Sequence, residues 1–445
     1  MKRRETALRP VGKVRGGAHV PHHKNTAELT SAKMPAPKTV YIPMQQHIGA
    51  PCEPIVKKGD TVFVGTKIGD SSSFVFAPIH SSVSGTVTGI EEVELSNGNK
   101  VKAVVIENDF TDTLDPAIKP VKVKTPEDLV SAAKECGLVG LGGAGFPAHI
   151  KLTINEDKKI DTLIINAAEC EPFITADYRE CMEASRDILE GIYLLKEILN
   201  IEKVIIGVED NKPRAIKVLL KIAGDKKDPN NDVRVMKLKA NYPQGAEKML
   251  IYSATKRALP NGKLPSDVGC IVMNVTSVAT LNRYINTGIP LISRRVTVDG
   301  NAINNPQNVI VPIGTKISDV IEFCGGFKKE PKKIIVGGPM MGTAIYNLDT
   351  PISKQNNAIL AFYGAKAETP KEYACISCGR CAKYCPMNLT PGRVEKELNN
   401  AQVEELKALN VDYCMECGSC SFVCPSRKRL TQYMRMAKAE LRKNK

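Results

Sequence analysis

Tryptophan is absent from this sequence, and aromatic residues make up only 5% of it. So few aromatic rings argue against the stacking surface on which single-stranded nucleic acids are bound. Long apolar runs are missing as well, since no stretch approaches the ~18 consecutive apolar residues of a transmembrane helix. The basic N-terminus, residues 1–17, also lacks the apolar segment of a signal peptide. We therefore expect neither a nucleic-acid partner nor a membrane span.

Acidic residues are outnumbered by basic ones, with 48 Asp and Glu against 62 Lys and Arg, and the formal net charge is +14. A positive excess can serve nucleic acid, anionic lipid or an acidic protein partner. Part of it lies at the C-terminus, from Arg427 to Lys445, where apolar residues recur at near-helical spacing. The pattern predicts a basic amphipathic helix that either contacts a membrane surface or packs on the protein.

The length of 445 residues allows about three domains with cores of their own. Eight of the fourteen cysteines fall in two runs near the C-terminus. The other six stand singly, at Cys52, Cys136, Cys170, Cys181, Cys270 and Cys324. Isolated thiols beside such runs are typical of a reducing compartment, so we expect a cytoplasmic setting.

The two cysteine runs share the pattern C-x-x-C-x-x-C-x-x-x-C-P. This is the spacing of bacterial two-cluster ferredoxins, in which the fourth cysteine of each run binds the other cluster. The predicted ligands of one [4Fe–4S] cluster are Cys375, Cys378, Cys381 and Cys424. Those of the second cluster are Cys414, Cys417, Cys420 and Cys385. Structural zinc and disulfides are the alternatives, but zinc sites typically use two C-x-x-C pairs without a repeated Cys-Pro end.

The N-terminal quarter of the chain divides into an arm and a strand-rich segment. Residues 1–37 form a Pro-, Gly- and His-rich arm; the histidines of His19-Val20-Pro21-His22-His23 have no Cys or carboxylate at ligand spacing, so we expect an arm that wraps the body. Residues 38–107 resemble the barrel-sandwich hybrid of lipoyl and biotinyl domains. The lysine that carries the prosthetic group there has no counterpart in a matching turn, which favours a docking role over a carrier role.

An alternation of apolar strand-length segments and helices follows the linker 108–124. Thr125 is the predicted N-cap of a first helix, with Pro126 at its first position and Asp128 completing a capping box. The alternation predicts a buried, mostly parallel α/β sheet. Polar residues follow its strands at 166–172, 242–248 and 274–277, and the ends of parallel strands are where such sheets bind ligands.

A glycine-rich loop lies at the start of this region. Gly140 to Gly145 satisfy G-x-G-x-x-G, but a helix precedes the loop and Phe146-Pro147 follow it, so the dinucleotide fingerprint lacks its strand-before-helix context. Backbone amides in such a loop can still approach a phosphate or a flavin ring closely. A structural tight turn is the alternative.

Residues 140–147 with Lys151 resemble the flavin loop of the NADH-binding subunit of respiratory complex I. The segments 166–172, 242–247 and 274–276 resemble other parts of the same subunit. Together with the cysteine runs and the barrel-sandwich segment, nearly the whole chain resembles the RnfC family, the C subunits of Rnf complexes, which are ion-translocating ferredoxin:NAD oxidoreductases. Three positions depart from the complex I pattern, since Leu141 replaces an Arg, and Ala168 and Ala246 replace acidic residues.

The resemblance implies two ligands in the α/β domain, FMN and NAD(H). The residues implied for FMN are Gly140, Gly142, Gly143, Gly145, Lys151, Asn166, Gly245 and Asn274. NAD(H) would stack on Phe146, with Glu169, Glu171 and Glu247 lining the nicotinamide side. No side chain is assigned as a catalytic acid or base, because hydride transfer needs none.

The predicted fold class is a multidomain α/β protein. The predicted parts are the arm 1–37, the barrel-sandwich hybrid 38–107, a Rossmann-like FMN/NADH-binding domain 120–285, a β-grasp module 286–345 and a helical two-[4Fe–4S] ferredoxin domain 366–437.

The resemblance also implies a function. The chain would be the peripheral NAD(H)-reactive subunit of a membrane complex, on the cytoplasmic face, with the other subunits as partners and ferredoxin reached through one of them. A soluble flavin and iron–sulfur reductase of the cobalamin-reductase type is one alternative, although its barrel-sandwich segment tends to follow the clusters. An electron wire without enzymatic activity is another.

Overall fold

The computed structural model describes residues 16–155, 157–225, 233–400 and 403–443. The first fifteen residues of the predicted arm and the last two of the basic C-terminus lie outside this description. None of the helices in the described ranges is long and apolar enough to cross a bilayer.

The arm runs across three of the four folded parts. Gly17 donates its N–H to the carbonyl of Tyr384 in the ferredoxin domain, and Ala18 forms an antiparallel bridge with Tyr242 of the α/β domain. Further along, the strand β1 (Ala32–Lys33) joins the sheet of the β-grasp module. His23 stacks on Phe173 with ring centroids 4.9 Å apart. The arm therefore holds the domains together, as a wrapping segment should.

The barrel-sandwich segment consists of two small antiparallel sheets. Its strands are β2 (Thr39–Pro43), β3 (Glu53–Pro54), β4 (Thr61–Val62), β5 (Lys67–Asp70), β6 (Ile79–His80), β7 (Gly85–Glu94) and β8 (Lys100–Asn108). One sheet has the order β2-β8-β7-β4 and the other has the order β3-β5-β6. The main-chain N–H of Ile48 donates to the carbonyl of Gly145, so this segment touches the glycine loop.

The α/β domain has four parallel strands in the order β11-β10-β9-β12. Its elements are α1 (Pro126–Glu135), α2 (Ala148–Leu152), β9 (Thr162–Ala167), α3 (Ala176–Glu183), α4 (Ser185–Ile198), β10 (Lys203–Glu209), α5 (Pro213–Asp225), β11 (Val233–Leu238), α6 (Glu247–Thr255), β12 (Cys270–Asn274) and α7 (Val275–Thr287). The predicted capping box at Thr125 is confirmed. Because the strand order reverses between β9 and β12, the carboxyl ends of these two strands mark the crevice where such sheets bind ligands.

The β-grasp sheet is larger than the predicted module. Its elements are β13 (Ser293–Asp299), β14 (Gln307–Pro312), α8 (Ile317–Phe323), β15 (Lys333–Val336), β16 (Thr343–Ile345) and β17 (Ala358–Phe362). The six-stranded order β1-β14-β13-β17-β15-β16 takes in two strands outside the predicted range of 286–345. One of them, β17, is fully buried between β13 and β15. No sequence feature near residue 345 indicates that a later strand belongs to the same sheet.

The ferredoxin domain is helical. Its helices are α9 (Arg380–Lys383), α10 (Pro391–Asn399), α11 (Val403–Ala408), α12 (Ser419–Phe422) and α13 (Leu430–Lys443). The apolar face of α13, with Met434 and Leu441, is buried against Val394 and Leu406. The predicted amphipathic helix therefore packs on the protein, and its exposed face is mainly polar and basic, with Met436 also exposed.

Candidate functional site

The second cysteine run and Cys385 line one cavity. Its cysteines are Cys385, Cys414, Cys417 and Cys420. The remaining lining is largely apolar and includes Met415, Leu389 and Met434. Cys385 comes from the first run, so the four thiols meet in the crossed arrangement that the spacing predicts. This donor set fits a [4Fe–4S] cluster, which takes four thiolates.

Burial raises the pKa of the Cys414 thiol to about 11 and that of Cys420 to about 12. Such thiols are protonated at neutral pH, so cluster assembly must release their protons. Among the described residues, no three His, Cys, Asp or Glu side chains converge as closely as a single bound metal ion requires. In a four-iron cluster each sulfur binds a different iron atom, so the ligands surround the cluster and need not share one centre.

The two cysteine runs adopt the same backbone conformation 39 residues apart. Positive φ angles recur in the pairs Ser377 and Glu416, Gly379 and Gly418, and Asn388 and Arg427. The N–H···S hydrogen bonds recur too. They run from Ser377, Glu416, Leu389 and Lys428 to the sulfurs of Cys375, Cys414, Cys385 and Cys424, over 3.3–3.5 Å. Amides directed at sulfur are among the features that set cluster potentials, so both runs are shaped as cluster loops.

The ligand crevice of the α/β domain is bordered by Asn166 and Asn274, which lie opposite each other at the ends of β9 and β12. Asn166 donates its amide N–H to the carbonyl of Gly245 over 2.8 Å. Asn274 caps α7 by accepting from the N–H groups of Thr276 and Ser277. The structure thus brings three of the predicted FMN residues to one edge of the sheet.

The glycine loop packs against this edge. A Cβ at Gly142 would lie 2.5 Å from Nδ2 of Asn274, so only glycine permits the approach. Gly145 has a φ of +73° and faces the side chain of Gln355. Gly143 has neither constraint, because nothing lies within 4 Å of its Cβ position and its φ is ordinary. A bare, exposed backbone at Gly143 fits a loop whose amides contact a ligand.

Lys151 on α2 and Glu247 at the first position of α6 form an ion pair over 2.9 Å. Both side chains remain partly exposed. Phe146 is half-buried beside the loop. All three residues are therefore partly accessible to a ligand.

The side chain of Glu169 is buried. Its carboxylate accepts from the N–H of Asp177 over 2.7 Å, at the start of α3, and also contacts the N–H of Tyr178. The ammonium of Lys24 lies 3.9 Å from it, and burial raises the pKa of this carboxyl and lowers that of Lys24. In this arrangement Glu169 fixes the start of α3, and its contact with nicotinamide stays a prediction.

Glu171 joins the α/β domain to the β-grasp module. Its carboxylate accepts from the N–H groups of Met340 and Met341 over 3.1 and 2.9 Å, and the Tyr242 hydroxyl donates to it over 3.4 Å. Burial raises the pKa of Glu171 to about 7 in spite of these donors. Its nicotinamide contact likewise stays a prediction.

Four further residues, which the sequence did not single out, support the site. Lys24 donates to the carbonyls of Glu169, Glu171 and Ile174, and Lys212 donates to the carbonyl of Ala168. Asp177 accepts from Asn274 over 2.8 Å, and buried Arg294 donates to the carbonyl of Leu141 over 3.0 Å. Their partners lie far away in the chain, so no local pattern marks them.

The two sites adjoin each other. Cys417 belongs to a small buried core with Tyr242, Ala18 and Val20, against which Cys170 and Met340 pack. A Cβ at Gly245 would lie 3.2 Å from the sulfur of Cys170. Packed side chains therefore connect the cavity of the second cluster to the turn that contacts Asn166.

Family models match along most of the chain. They are the RnfC barrel sandwich hybrid domain over residues 12–111, the Nuo51 FMN-binding domain over 133–283, the SLBB domain over 295–344 and the 4Fe-4S dicluster domain over 374–428. The predicted fold class is confirmed, as are the predicted FMN and [4Fe–4S] cofactors.

Curated relatives cover almost the whole chain. The C subunit of the proton-translocating ferredoxin:NAD(+) oxidoreductase complex of Clostridium ljungdahlii is 44% identical, over 96% of this chain and 94% of the relative. The C subunit of the Na(+)-translocating complex of Acetobacterium woodii is 43% identical, over 97% of each. The C subunit of the ion-translocating oxidoreductase complex of Rhodobacter capsulatus is 36% identical, over 88% of this chain and 76% of the relative.

Proposed function

The chain belongs to the RnfC family, the C subunits of ion-translocating ferredoxin:NAD oxidoreductase complexes, and on this premise we propose that it is the NAD(H)-reactive subunit of such a complex. The observation that supports the proposal most directly is the contact between Cys417 and the core beside the flavin crevice. This contact would join a one-electron site to a hydride site within one polypeptide.

FMN, when bound, exchanges a hydride with NAD(H) and single electrons with the clusters. The backbone of Gly143 and the edge formed by Asn166, Gly245 and Asn274 would hold it, with Lys151 available to its anionic end. Gly140, Gly142 and Gly145 shape the loop, and Phe146 and Glu247 would contact NAD(H). These residues would bind and orient the two ligands, and none of them would transfer a proton.

The eight predicted thiolates would hold the two clusters. The cluster of Cys414, Cys417, Cys420 and Cys385 would lie beside the α/β domain and the β-grasp module, because Cys417 packs with Tyr242 of the first and Met340 of the second. The cluster of Cys375, Cys378, Cys381 and Cys424 would lie on the outer side, since Cys375 and Cys378 are exposed. Electrons would then pass between the outer cluster, the inner cluster and the flavin site in that order.

The partners would be the membrane-bound subunits of the complex, with ferredoxin reached through one of them, and the chain would lie on the cytoplasmic face. A peripheral position suits a chain whose described helices include no candidate span. The exposed basic side chains of α13, such as Arg435 and Arg442, offer an electrostatic contact to an anionic lipid surface. The soluble-reductase alternative is less favoured, because the relatives align over nearly their full length and carry the names of complex subunits.

The proposal is tested by cofactor analysis of the anaerobically reconstituted chain. We expect about eight iron atoms and one FMN per chain, and NADH should reduce an artificial acceptor through the loaded protein. A preparation that holds zinc alone, or holds no flavin, would contradict the proposal. Co-purification with membrane subunits separates a component of a complex from a soluble reductase.

A further inference from the structure

The internal repeat of the ferredoxin domain allows its two cluster sites to be compared position by position. Met415 and Ile376 occupy the same place, between the first two cysteines of their runs. Met415 packs against the core that contains Tyr242 and Cys417, whereas Ile376 is 66% exposed. The surface that the arm, the α/β domain and the β-grasp module cover at the inner site is therefore open at the outer site.

The glycine after the second cysteine of each run gives the same contrast. A Cβ at Gly418 would lie 2.8 Å from the carbonyl oxygen of Met340 in the β-grasp module. A Cβ at Gly379 would meet nothing within 4 Å. Accordingly Cys417 is buried and Cys378 is exposed. The two cysteine runs thus share one backbone conformation, but only the second run contacts another domain of the chain at this position.

Charge distinguishes the open surface further. Arg380 and Lys383 are exposed there, and the residues at the matching positions of the second run are Ser419 and Phe422. Lys371 and Arg427 are also exposed next to the first run and Cys424. In the described ranges, no ion pair engages any of these four cations. Tyr373 and Ile376, which are 57% and 66% exposed, supply apolar surface between them.

We propose that this surface, formed by residues 371–383 with Arg427 and called here the open cluster face, docks an acidic protein that carries a one-electron redox centre. The inference deepens the proposed function and rests on it. An apolar centre within a charged rim is the usual make-up of a protein interface, and the cationic rim selects an acidic partner and speeds its encounter. Each docking event passes one electron, so two transfers match the electron pair of one hydride.

The test uses membranes that contain the whole complex, with reduced two-cluster ferredoxin as the electron-donor probe. The charge-reversal variant Arg380→Glu/Lys383→Glu should lower ferredoxin-dependent NAD⁺ reduction at least tenfold at low salt. Reduction of the flavin by NADH should stay unchanged, because that reaction lies beyond the inner cluster. The matched control is Lys217→Glu/Lys221→Glu on α5, which reverses two exposed cations away from both sites and should change neither rate.

The proposal is overturned if the charge-reversal variant retains the wild-type rate with both cluster signals intact in electron paramagnetic resonance spectra. If that variant loses a cluster signal, Ile376→Ser gives the deciding measurement, because it removes the apolar centre of the face without changing a ligand or a charge. The rate of ferredoxin-dependent NAD⁺ reduction should then fall, and a wild-type rate would overturn the proposal. Weaker binding to anionic vesicles at an unchanged electron-transfer rate would identify the face as a lipid contact and would also overturn it. A failure of the proposed function is recognised separately, because the unmodified membranes would then reduce no NAD⁺ with ferredoxin.

Discussion

Lys151 and Glu247 form an ion pair in which Nζ and Oε2 are 2.9 Å apart, joining the helix after the glycine loop to the first turn of α6. The two residues are predicted to serve different ligands, FMN for Lys151 and the nicotinamide for Glu247. Their contact places the two predicted binding regions side by side on the accessible edge of the α/β sheet.

Replacement of Glu247 tests the nicotinamide side of the crevice. We expect Glu247→Ala to abolish NADH-dependent reduction of an artificial acceptor while FMN stays bound, because the loop and the asparagine edge are unchanged. Steady-state kinetics and flavin content of the purified chain give the measurement. Glu127→Ala, an exposed acidic residue in the first turn of α1, is the matched control. Unchanged kinetics for Glu247→Ala would remove that residue from the site.

Variants of two neighbouring glycines distinguish an effect on the structure of the loop from an effect on ligand binding. In Gly142→Ala the new Cβ would collide with Asn274, so we expect weaker FMN binding together with a lower melting temperature of the flavin-free protein. In Gly143→Ala the Cβ has free space, so the melting temperature should not change. If the backbone of Gly143 contacts the flavin, this variant should still weaken FMN binding, by about tenfold for a loss of about 1.4 kcal/mol.

Fluorescence titration with FMN and thermal unfolding of the flavin-free protein provide both readouts. Wild-type affinity in Gly143→Ala would show that the loop is only a tight turn, which is the alternative that the sequence left open.

The crossed ligand arrangement predicts which cysteine variants resemble each other. Cys385→Ser and Cys414→Ser should lose the same electron paramagnetic resonance signal and reduce the iron content from about eight to about four atoms per chain. Cys375→Ser and Cys424→Ser should lose the other signal. Cys324→Ser, in the core of the β-grasp module, should keep both. Loss of one signal in Cys385→Ser and Cys375→Ser alike would show that each run binds its own cluster.

The raised pKa of Glu171 predicts that the stability of the protein depends on pH. Its pKa of about 7 in the folded protein lies above the value of about 4.3 in an unfolded chain. Between these values the folded state holds a proton that the unfolded state releases, so the contribution of Glu171 to the free energy of unfolding falls as pH rises from about 4.3 to 7.

Thermal unfolding of the wild type and Glu171→Gln at pH 5 and pH 8 measures this contribution. We expect the wild type to lose more stability than the variant over this interval, because Gln does not titrate. The exposed control Glu127→Gln should follow the wild type. Equal losses in the wild type and Glu171→Gln would contradict the burial argument.

The cluster ligands can be proposed from the sequence alone, because the spacing within each cysteine run is a local property, and the structure brings Cys385 to the same cavity as Cys414, Cys417 and Cys420. It also predicts the capping box at Thr125, which depends on residues three apart. The glutamates are different. Glu171 meets Met340, which lies 169 residues further along the chain, and only the folded contact between two domains brings these groups together.

The same reason explains the supporting lysines and the size of the β-grasp sheet. Lys24 donates to carbonyl groups about 150 residues further along the chain. The strand β1 pairs with β14, which is even more distant in the sequence. An arm that crosses several domains carries no hydrophobic periodicity of its own. Its position is decided by the surfaces that it covers, and these exist only in the folded protein.

We propose that the clusters and the flavin crevice form one electron path to NAD⁺. The most direct test is to reduce the clusters of the anaerobic protein chemically, remove the reductant and add NAD⁺. Electron paramagnetic resonance should then show loss of the reduced-cluster signals in FMN-loaded protein and their persistence in FMN-free protein. Signals that persist in both preparations, or disappear equally in both, would contradict the account.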